Sequence, residues 1–343
     1  MNILGIESSC DETAVAIVAN GTTVISSAIA SSMQIHALYG GVIPEIAARS
    51  HIESINSVID QVFIDSGLNW DDIDGIAVTN GAGLTGSLLI GLLVARTLAI
   101  VKNKPLYAIN HVEAHMYSNY LVDPPPKFPL LSLIVSGGHS QLVLFENHGK
   151  YVVLGQTVDD AIGEAFDKVA KIIGLPYPGG PSVAQAAKRG DPNKYNLPKA
   201  KLTNKYDFSF SGLKTAVLRC AQQVVGGDFR LSSTEIPTLL NNQQRYDIAA
   251  SFQRIAVETV VEKTIAAYKE FKPKNVVIAG GVAANQELRQ QMTERLPIKI
   301  TYAPPALCTD NGAMIASLGC FMVMNGVEPA DPYTLGVEPN LKM

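Results

Sequence analysis

The run Ile109-Asn-His-Val-Glu-Ala-His-Met116 has the residue types and spacing for metal chemistry. His111 and His115 are four apart, so on a helix their imidazoles project from one face, one turn above the other. That is a common way to offer two nitrogens to one ion. A zinc protease of the H-E-x-x-H kind places its glutamate directly after the first histidine. Here Glu113 comes two residues later, about 200° round the helix from His111 and away from any ion the histidines share. The pair therefore reads as a metal site without a peptide-hydrolysing base. The plainer alternative is two half-buried imidazoles at a helix start. Asn110 suits the N-cap, and Glu113 has the spacing for a capping-box exchange with it.

A third ligand must come from elsewhere. Asp310, in Cys308-Thr-Asp-Asn-Gly-Ala-Met314, sits at a helix start. Its ordinary role there is an N-cap. If its loop faces the same cleft as His111 and His115, two histidines and a carboxylate suit Fe(II) and can also hold Zn(II). Asp11 and Glu12 lie at a hairpin tip, where they serve as cation ligands, acid/base groups or simple turn residues. Gly137-Gly138 between two strands offers backbone N–H groups to a phosphate or acyl oxygen. Gly280-Gly281, between a strand and a helix, resembles a nucleotide-facing turn, with Asn285 placed for a ribose or base. Neither turn matches a P-loop, and no G-x-G-x-x-G is present. His139 after the second hairpin turn reads as a strand or core residue.

The elements that must position these groups come in a repeated plan. Ile3–Ser8 and Thr13–Ala19 read as a hairpin, and Leu130–Ser136 with His139–Phe145 reads as another. A strand, glycine turn and helix follow at Ile76–Arg96 and again at Val276–Glu294. The same order twice predicts an internal duplication: two α/β halves with a cleft between them. Asp123-Pro-Pro-Pro-Lys127 is the clearest linker. The expected domains are 1–122, with 324–343 returning to it, and 127–323, with a largely helical insertion at about 158–245. Helices are expected at 44–64, 159–173, 182–189, 212–225 and 246–271, and a closing helix from about Asn311.

Composition narrows the function class. The 343 residues are 47% hydrophobic and 17% charged, with net charge −4. That is a globular chain with no global field for nucleic acid, so such contacts need a local patch. Lys188–Lys205 carries six basic residues against Asp191, with Tyr195, Tyr206, Phe208 and Phe210 in or beside it. It reads either as a solvated loop or as a phosphate contact with aromatics for stacking. Four cysteines without C-x-x-C spacing argue against a disulfide framework and for a reducing cytoplasm. The N-terminus has no secretion-signal pattern. The apolar helix Leu88–Ile100 is too short for a membrane span, so no membrane role is expected.

Nine motifs then match one family in order. They are Gly5-Ile-Glu-Ser-Ser-Cys-Asp-Glu-Thr13, Tyr39-Gly-Gly-Val-Ile-Pro-Glu45, His111-Val-Glu-Ala-His115, Val135-Ser-Gly-Gly-His139, Gly163-Glu-Ala-Phe-Asp-Lys168, Tyr177-Pro-Gly-Gly-Pro181, Asp207-Phe-Ser-Phe-Ser-Gly-Leu-Lys-Thr215, Ala279-Gly-Gly-Val-Ala-Ala-Asn285 and Cys308-Thr-Asp-Asn-Gly-Ala313. The chain resembles the bacterial TsaD family, the tRNA N(6)-adenosine threonylcarbamoyltransferases, once labelled sialoglycoprotein endopeptidases. The resemblance implies a duplicated actin/Hsp70/sugar-kinase-like (ribonuclease H-like) two-domain fold. It implies transfer of threonylcarbamoyl from threonylcarbamoyl-AMP to the exocyclic amine of the adenosine beside the tRNA anticodon. The family's metal ligands fall on His111, His115 and Asp310, usually with one Fe(2+). Its substrate contacts fall on Ile134, Val135, Ser136, Gly137, Gly138, Asp167, Gly180 and Asn285. Asp11 and Glu12 are the catalytic candidates, although nucleotide-linked cation binding explains them equally well. Archaeal and eukaryotic relatives add an acidic contact where this chain has Ala184, so that contact is not carried over. The resemblance also implies a paralogous actin-like partner protein and a small ATPase. The rival readings are a metalloprotease, a non-catalytic actin-like nucleotide-binding partner, and a sugar kinase.

Overall fold

The computed structural model describes residues 1–343. In chain order it holds β1 (Asn2–Glu7), β2 (Glu12–Ala19), β3 (Thr23–Ser31), α1 (Met33–Tyr39), α2 (Pro44–Ser66), β4 (Gly75–Gly81), α3 (Thr85–Lys102), β5 (Leu106–Asn110) and α4 (His111–Tyr117). The chain continues through β6 (Leu130–Val135), β7 (Ser140–Asn147), β8 (Lys150–Gln156), α5 (Ile162–Ile173), α6 (Gly179–Ala187), α7 (Ser211–Val224), α8 (Ile236–Leu239) and α9 (Asn242–Phe271). It closes with β9 (Asn275–Ala279), α10 (Gln286–Arg295), β10 (Ile300–Tyr302), α11 (Pro305–Cys308) and α12 (Gly312–Met324).

Two compact units result. Unit 1 is 1–127, 146–151 and 302–343; unit 2 is 128–145 and 152–301. Their sheets have the strand orders β3-β2-β1-β4-β5 and β8-β7-β6-β9-β10, one plan used twice. In each, the first strand pairs antiparallel with the second and parallel with the fourth. This is the duplicated α/β architecture that the repeated hairpins predict. The third strands, β3 and β8, complete each meander and lack the long apolar runs that mark their neighbours.

The return to unit 1 comes at 302 rather than 324, and glycine is the reason. A Cβ on Gly5 of β1 would lie 2.3 Å from the Gly312 carbonyl oxygen, and one on Gly312 would lie 2.5 Å from the Ala16 nitrogen. Glycine at both positions lets α12 pack backbone to backbone on β1 and β2. The helix consequently belongs with the first sheet, and it brings Asp310 into unit 1. Helix α3 runs 85–102, longer than the 88–100 expected, and by length and composition it is apolar enough to cross a membrane. In unit 1 it buries Leu88, Leu92, Ala95 and Ala99, while Arg96 donates to the carbonyls of Pro332, Tyr333 and Leu335.

Unit 2 carries the helical block between β8 and β9. The basic run lies on α9. Lys199 pairs with Glu258 and Glu262 at 2.8 and 2.7 Å, and Lys205 pairs with Glu270. Tyr206, Phe208 and Phe210 are buried, so these three rings are core and not a stacking platform for bases. Two of the six basic residues and the three rings at 206, 208 and 210 that look like a nucleic-acid patch in sequence are thus spent within the unit.

Candidate metal centre and substrate-facing turns

Asn110 ends β5 and caps α4, its side-chain oxygen accepting from the N–H groups of Val112 and Glu113 at 2.9 and 3.2 Å. The cap starts the helix one residue before His111, so both histidines fall in its two turns, buried. The reciprocal half of the expected capping box is not made. Glu113 accepts instead from the Tyr151 hydroxyl, and burial pushes its carboxyl up to about 7. Its position round the helix thus turns it away from the histidines, as the spacing requires.

The third candidate ligand arrives through a different cap. Asn311, not Asp310, caps α12 by accepting from the Met314 N–H at 2.9 Å. That leaves the Asp310 carboxylate off the helix terminus. One oxygen, Oδ1, lies 3.6 Å from His111 Nε2 and 3.5 Å from His115 Nε2. All three candidate ligand atoms fall within 4.8 Å of one another. The expected triad is therefore brought together, within one unit.

Behind it stands a residue whose role the sequence did not reveal. Glu7, buried at the end of β1, accepts from Thr79 Oγ1 at 2.6 Å and faces His111 Nδ1 at 3.0 Å. Ser9 Oγ lies 3.2 Å from the same nitrogen. Burial would raise the Glu7 carboxyl, but His111 and the hydrogen bonds from Ser9 and Thr79 hold it down at about 2. A carboxylate in that place accepts from Nδ1–H, while Nε2 faces Asp310. Carboxylate–histidine pairs of this kind orient a metal ligand and raise its basicity. For His111, burial lowers proton affinity, but Glu7 and then Asp310 outweigh it and raise the imidazole to about 9. The available signal was an acid ending an otherwise apolar strand.

The neighbouring carboxyls crowd one another. Burial, then Asp310 and Asp11, push Glu12 up to about 10. Asp310 itself is raised to about 6 by burial, with His111 opposing and Glu7 and Asp11 adding. Excess negative charge at a donor set of two imidazoles and a carboxylate is a setting that a divalent cation relieves. Helix α2 braces this turn: His51 Nδ1 lies 2.8 Å from Thr13 Oγ1, and its Nε2 lies 3.0 Å from the Cys10 carbonyl oxygen.

The remaining candidates lie in unit 2: Ile134 to Gly138 at the carboxyl end of β6, Asp167 on α5, Gly180 on α6 and Asn285 before α10. Ile134 and Val135 are buried in β6. In the turn that follows, Ser136 N–H donates to the His139 carbonyl at 2.8 Å, while Gly137 and Gly138 are exposed with open space where a side chain would sit. Gly280 has φ +87°, and a Cβ there would lie 2.4 Å from the Val135 carbonyl oxygen. The two glycine turns therefore adjoin. Asp167 Oδ1 accepts from the Gly179 N–H at 2.6 Å, tying α5 to the start of α6; Gly180 beside it has open space. Asn285 caps α10 and also donates to Gln253 at 3.0 Å, so part of its hydrogen-bonding capacity is structural.

Comparison with known proteins agrees with this geometry. A family model described as TsaD, tRNA N6-adenosine threonylcarbamoyltransferase, matches residues 23–317. A protein of that name from Symbiobacterium thermophilum is 50% identical over 328 residues, 95% of this chain and 92% of the relative. One from Thermomicrobium roseum is 49% identical over 340 residues, covering 95% and 93%. Among solved structures, component A of the Acidaminococcus fermentans (R)-2-hydroxyglutaryl-CoA dehydratase aligns with TM-score 0.51 over 95% of this chain and 99% of its own, at 16% identity. That last likeness concerns the fold alone.

Proposed function

This chain belongs to the TsaD family of tRNA N6-adenosine threonylcarbamoyltransferases, and on that premise we propose how its residues divide the work. The reaction moves a threonylcarbamoyl group onto the exocyclic amine of the adenosine beside a tRNA anticodon, with threonylcarbamoyl-AMP as donor. His111, His115 and Asp310 hold one divalent iron; zinc fits the same donor set. A bound ion there supplies Lewis acidity toward a carbonyl oxygen. The observation that carries this reading is the convergence of two Nε2 atoms and one carboxylate, with Glu7 fixing the tautomer of His111.

In unit 2, the exposed N–H groups of Gly137 and Gly138 suit the phosphate or acyl oxygens of the donor. Ile134, Val135 and Ser136 form the strand end that presents them. The turn at Gly280, with Asn285, Asp167 and Gly180, contacts the adenylate; ligands of open α/β sheets favour the carboxyl ends of parallel strands. Asp11 and Glu12, at the tip of the first hairpin, are the acid/base groups offered for the proton that the amine releases.

Partners follow from the same reading: a paralogous actin-like protein and a small ATPase. Ile25 and Ile29 on β3, with Met33, Ile35 and Leu38 on α1, are exposed apolar side chains that suit a protein contact. A tRNA acceptor is consistent with work in the cytoplasm. Incubation with unmodified tRNA, threonylcarbamoyl-AMP and the candidate partners, followed by nucleoside mass analysis, tests the assignment. A threonylcarbamoyl mass gain on adenosine that requires His111 and Asp310 is the expected result. Full transfer by protein whose ion has been stripped and excluded refutes the metal's part.

A further inference from the structure

Helix α4 has a second face. Where His111 and His115 point one way, Glu113 and Tyr117 line a cavity of about 380 Å³ within unit 1. Its other walls come from β4, β5, the 146–151 segment, the end of α12 and the residues beyond it. None of the roles assigned above uses this space.

The lining has a definite chemistry. One wall is aromatic: the His148 and Phe321 rings stack at 4.1 Å between centroids with 13° between planes, and Tyr117 lies 5.6 Å from Phe321. The polar lining includes Glu113, Asn80 and Asn325, each of which carries an acceptor oxygen. Asn80 is only 4% exposed and lines the cavity, and its backbone carbonyl accepts from the Glu338 N–H at 2.6 Å. No lysine or arginine lines the space, so an anion finds no counter-charge there. A carboxylate beside aromatic faces is a setting for an ammonium, which brings three N–H donors and favours the faces of π systems.

We propose that this cavity is a binding site for a small primary amine with an apolar body. The ammonium sits on Glu113 and the amide oxygens of Asn80 and Asn325, and the body lies against Tyr117, His148 and Phe321. The volume falls within the range of small-molecule sites. Because α4 carries both Glu113 and the two imidazoles, an occupant touches the helix that presents the metal ligands without touching the ligands themselves.

Phenethylamine is the probe, titrated into the metal-loaded full chain by calorimetry, with amide NMR shifts to place it. Saturable binding is expected, with shifts centred on residues 80, 113 and 148. Glu113→Gln keeps the shape and removes the charge, and should weaken binding at least about tenfold, or 1.4 kcal/mol. Asn80→Leu should weaken it too, and 2-phenylethanol, of the same shape without charge, should bind at least about tenfold more weakly. Unchanged affinity in both variants, shifts that map elsewhere, or no saturable heat up to about 10 mM phenethylamine overturns the proposal. The readouts do not involve transfer, so they stand or fall separately from the reaction assigned above.

Discussion

The turn after β1 and the turn after β6 hold the same place in their two sheets and are built differently. After β6, Gly137 and Gly138 leave bare backbone and open space. After β1, the same stretch is Ser8 to Asp11, braced by His51, with Glu7 and Ser9 reaching His111. The strand–helix turns differ in the same sense. In unit 2, a Cβ on Gly280 would meet the Val135 carbonyl oxygen of the neighbouring strand and one on Gly281 open space; in unit 1, one on Gly81 would lie 2.0 Å from the Glu338 carbonyl oxygen, because the C-terminal segment fills that turn. A duplicated fold can thus keep its sheet and reassign its ends. One copy carries charged side chains suited to an ion, and the other keeps bare amides suited to phosphate.

The sharpest way to break this division is His111→Ala. It should abolish bound metal and lower transfer at least about 100-fold, since Lewis-acid assistance amounts to several kcal/mol. Metal analysis and single-turnover transfer check it, with far-UV circular dichroism confirming the fold. Retained transfer without metal would dissolve the contrast between the halves. Next in size is Glu7→Gln. Loss of the buried carboxylate behind His111 should weaken metal binding by about 10–100-fold while leaving all three ligands in place. Competition against a chelator at fixed pH measures it.

Glu7 also marks where sequence reading stops. The histidine pair was legible because helical periodicity alone puts residues four apart on one face. The duplication was legible because hairpin and turn signals are local. Asp310 as a ligand rested on the family resemblance and on a supposed cleft, since its neighbour Asn311 proved to be the cap. The partnership of Glu7 with His111 spans 104 positions, and no local pattern encodes it. The aromatics at 206–210 misled for the opposite reason: exposure is a tertiary property, and three of those rings are core.

In unit 2, Gly280→Ala and Gly281→Ala form a paired test. The first places a Cβ 2.4 Å from the Val135 carbonyl oxygen at φ +87°; the second meets open space. Gly280→Ala should cost about 1–3 kcal/mol of stability and weaken adenylate binding, whereas Gly281→Ala should lie within about 0.5 kcal/mol of the parent. Equal effects would mean that the two glycines do not differ in the way the turn requires. Urea denaturation and nucleotide titration read both.

The smallest effect isolates the two faces of α4. The Glu113 carboxyl is raised by burial from 4.5 to about 7, against the Tyr151 hydrogen bond. Between those values the folded chain keeps a proton that the unfolded chain has lost, so its stability falls as pH rises through that window and levels above it. Glu113→Gln removes this decline. Relative to the parent, the variant should gain about 1 kcal/mol at pH 8 and little at pH 4, a figure kept below the full shift because the group borders a cavity. Denaturation of metal-free protein at the two pH values measures the difference, in which the shared titration of the other carboxyls cancels. Metal affinity should stay unchanged in the same variant. If it falls along with the pH effect, then Glu113 communicates with the ion through α4, and the two faces of that helix cannot be treated as separate sites.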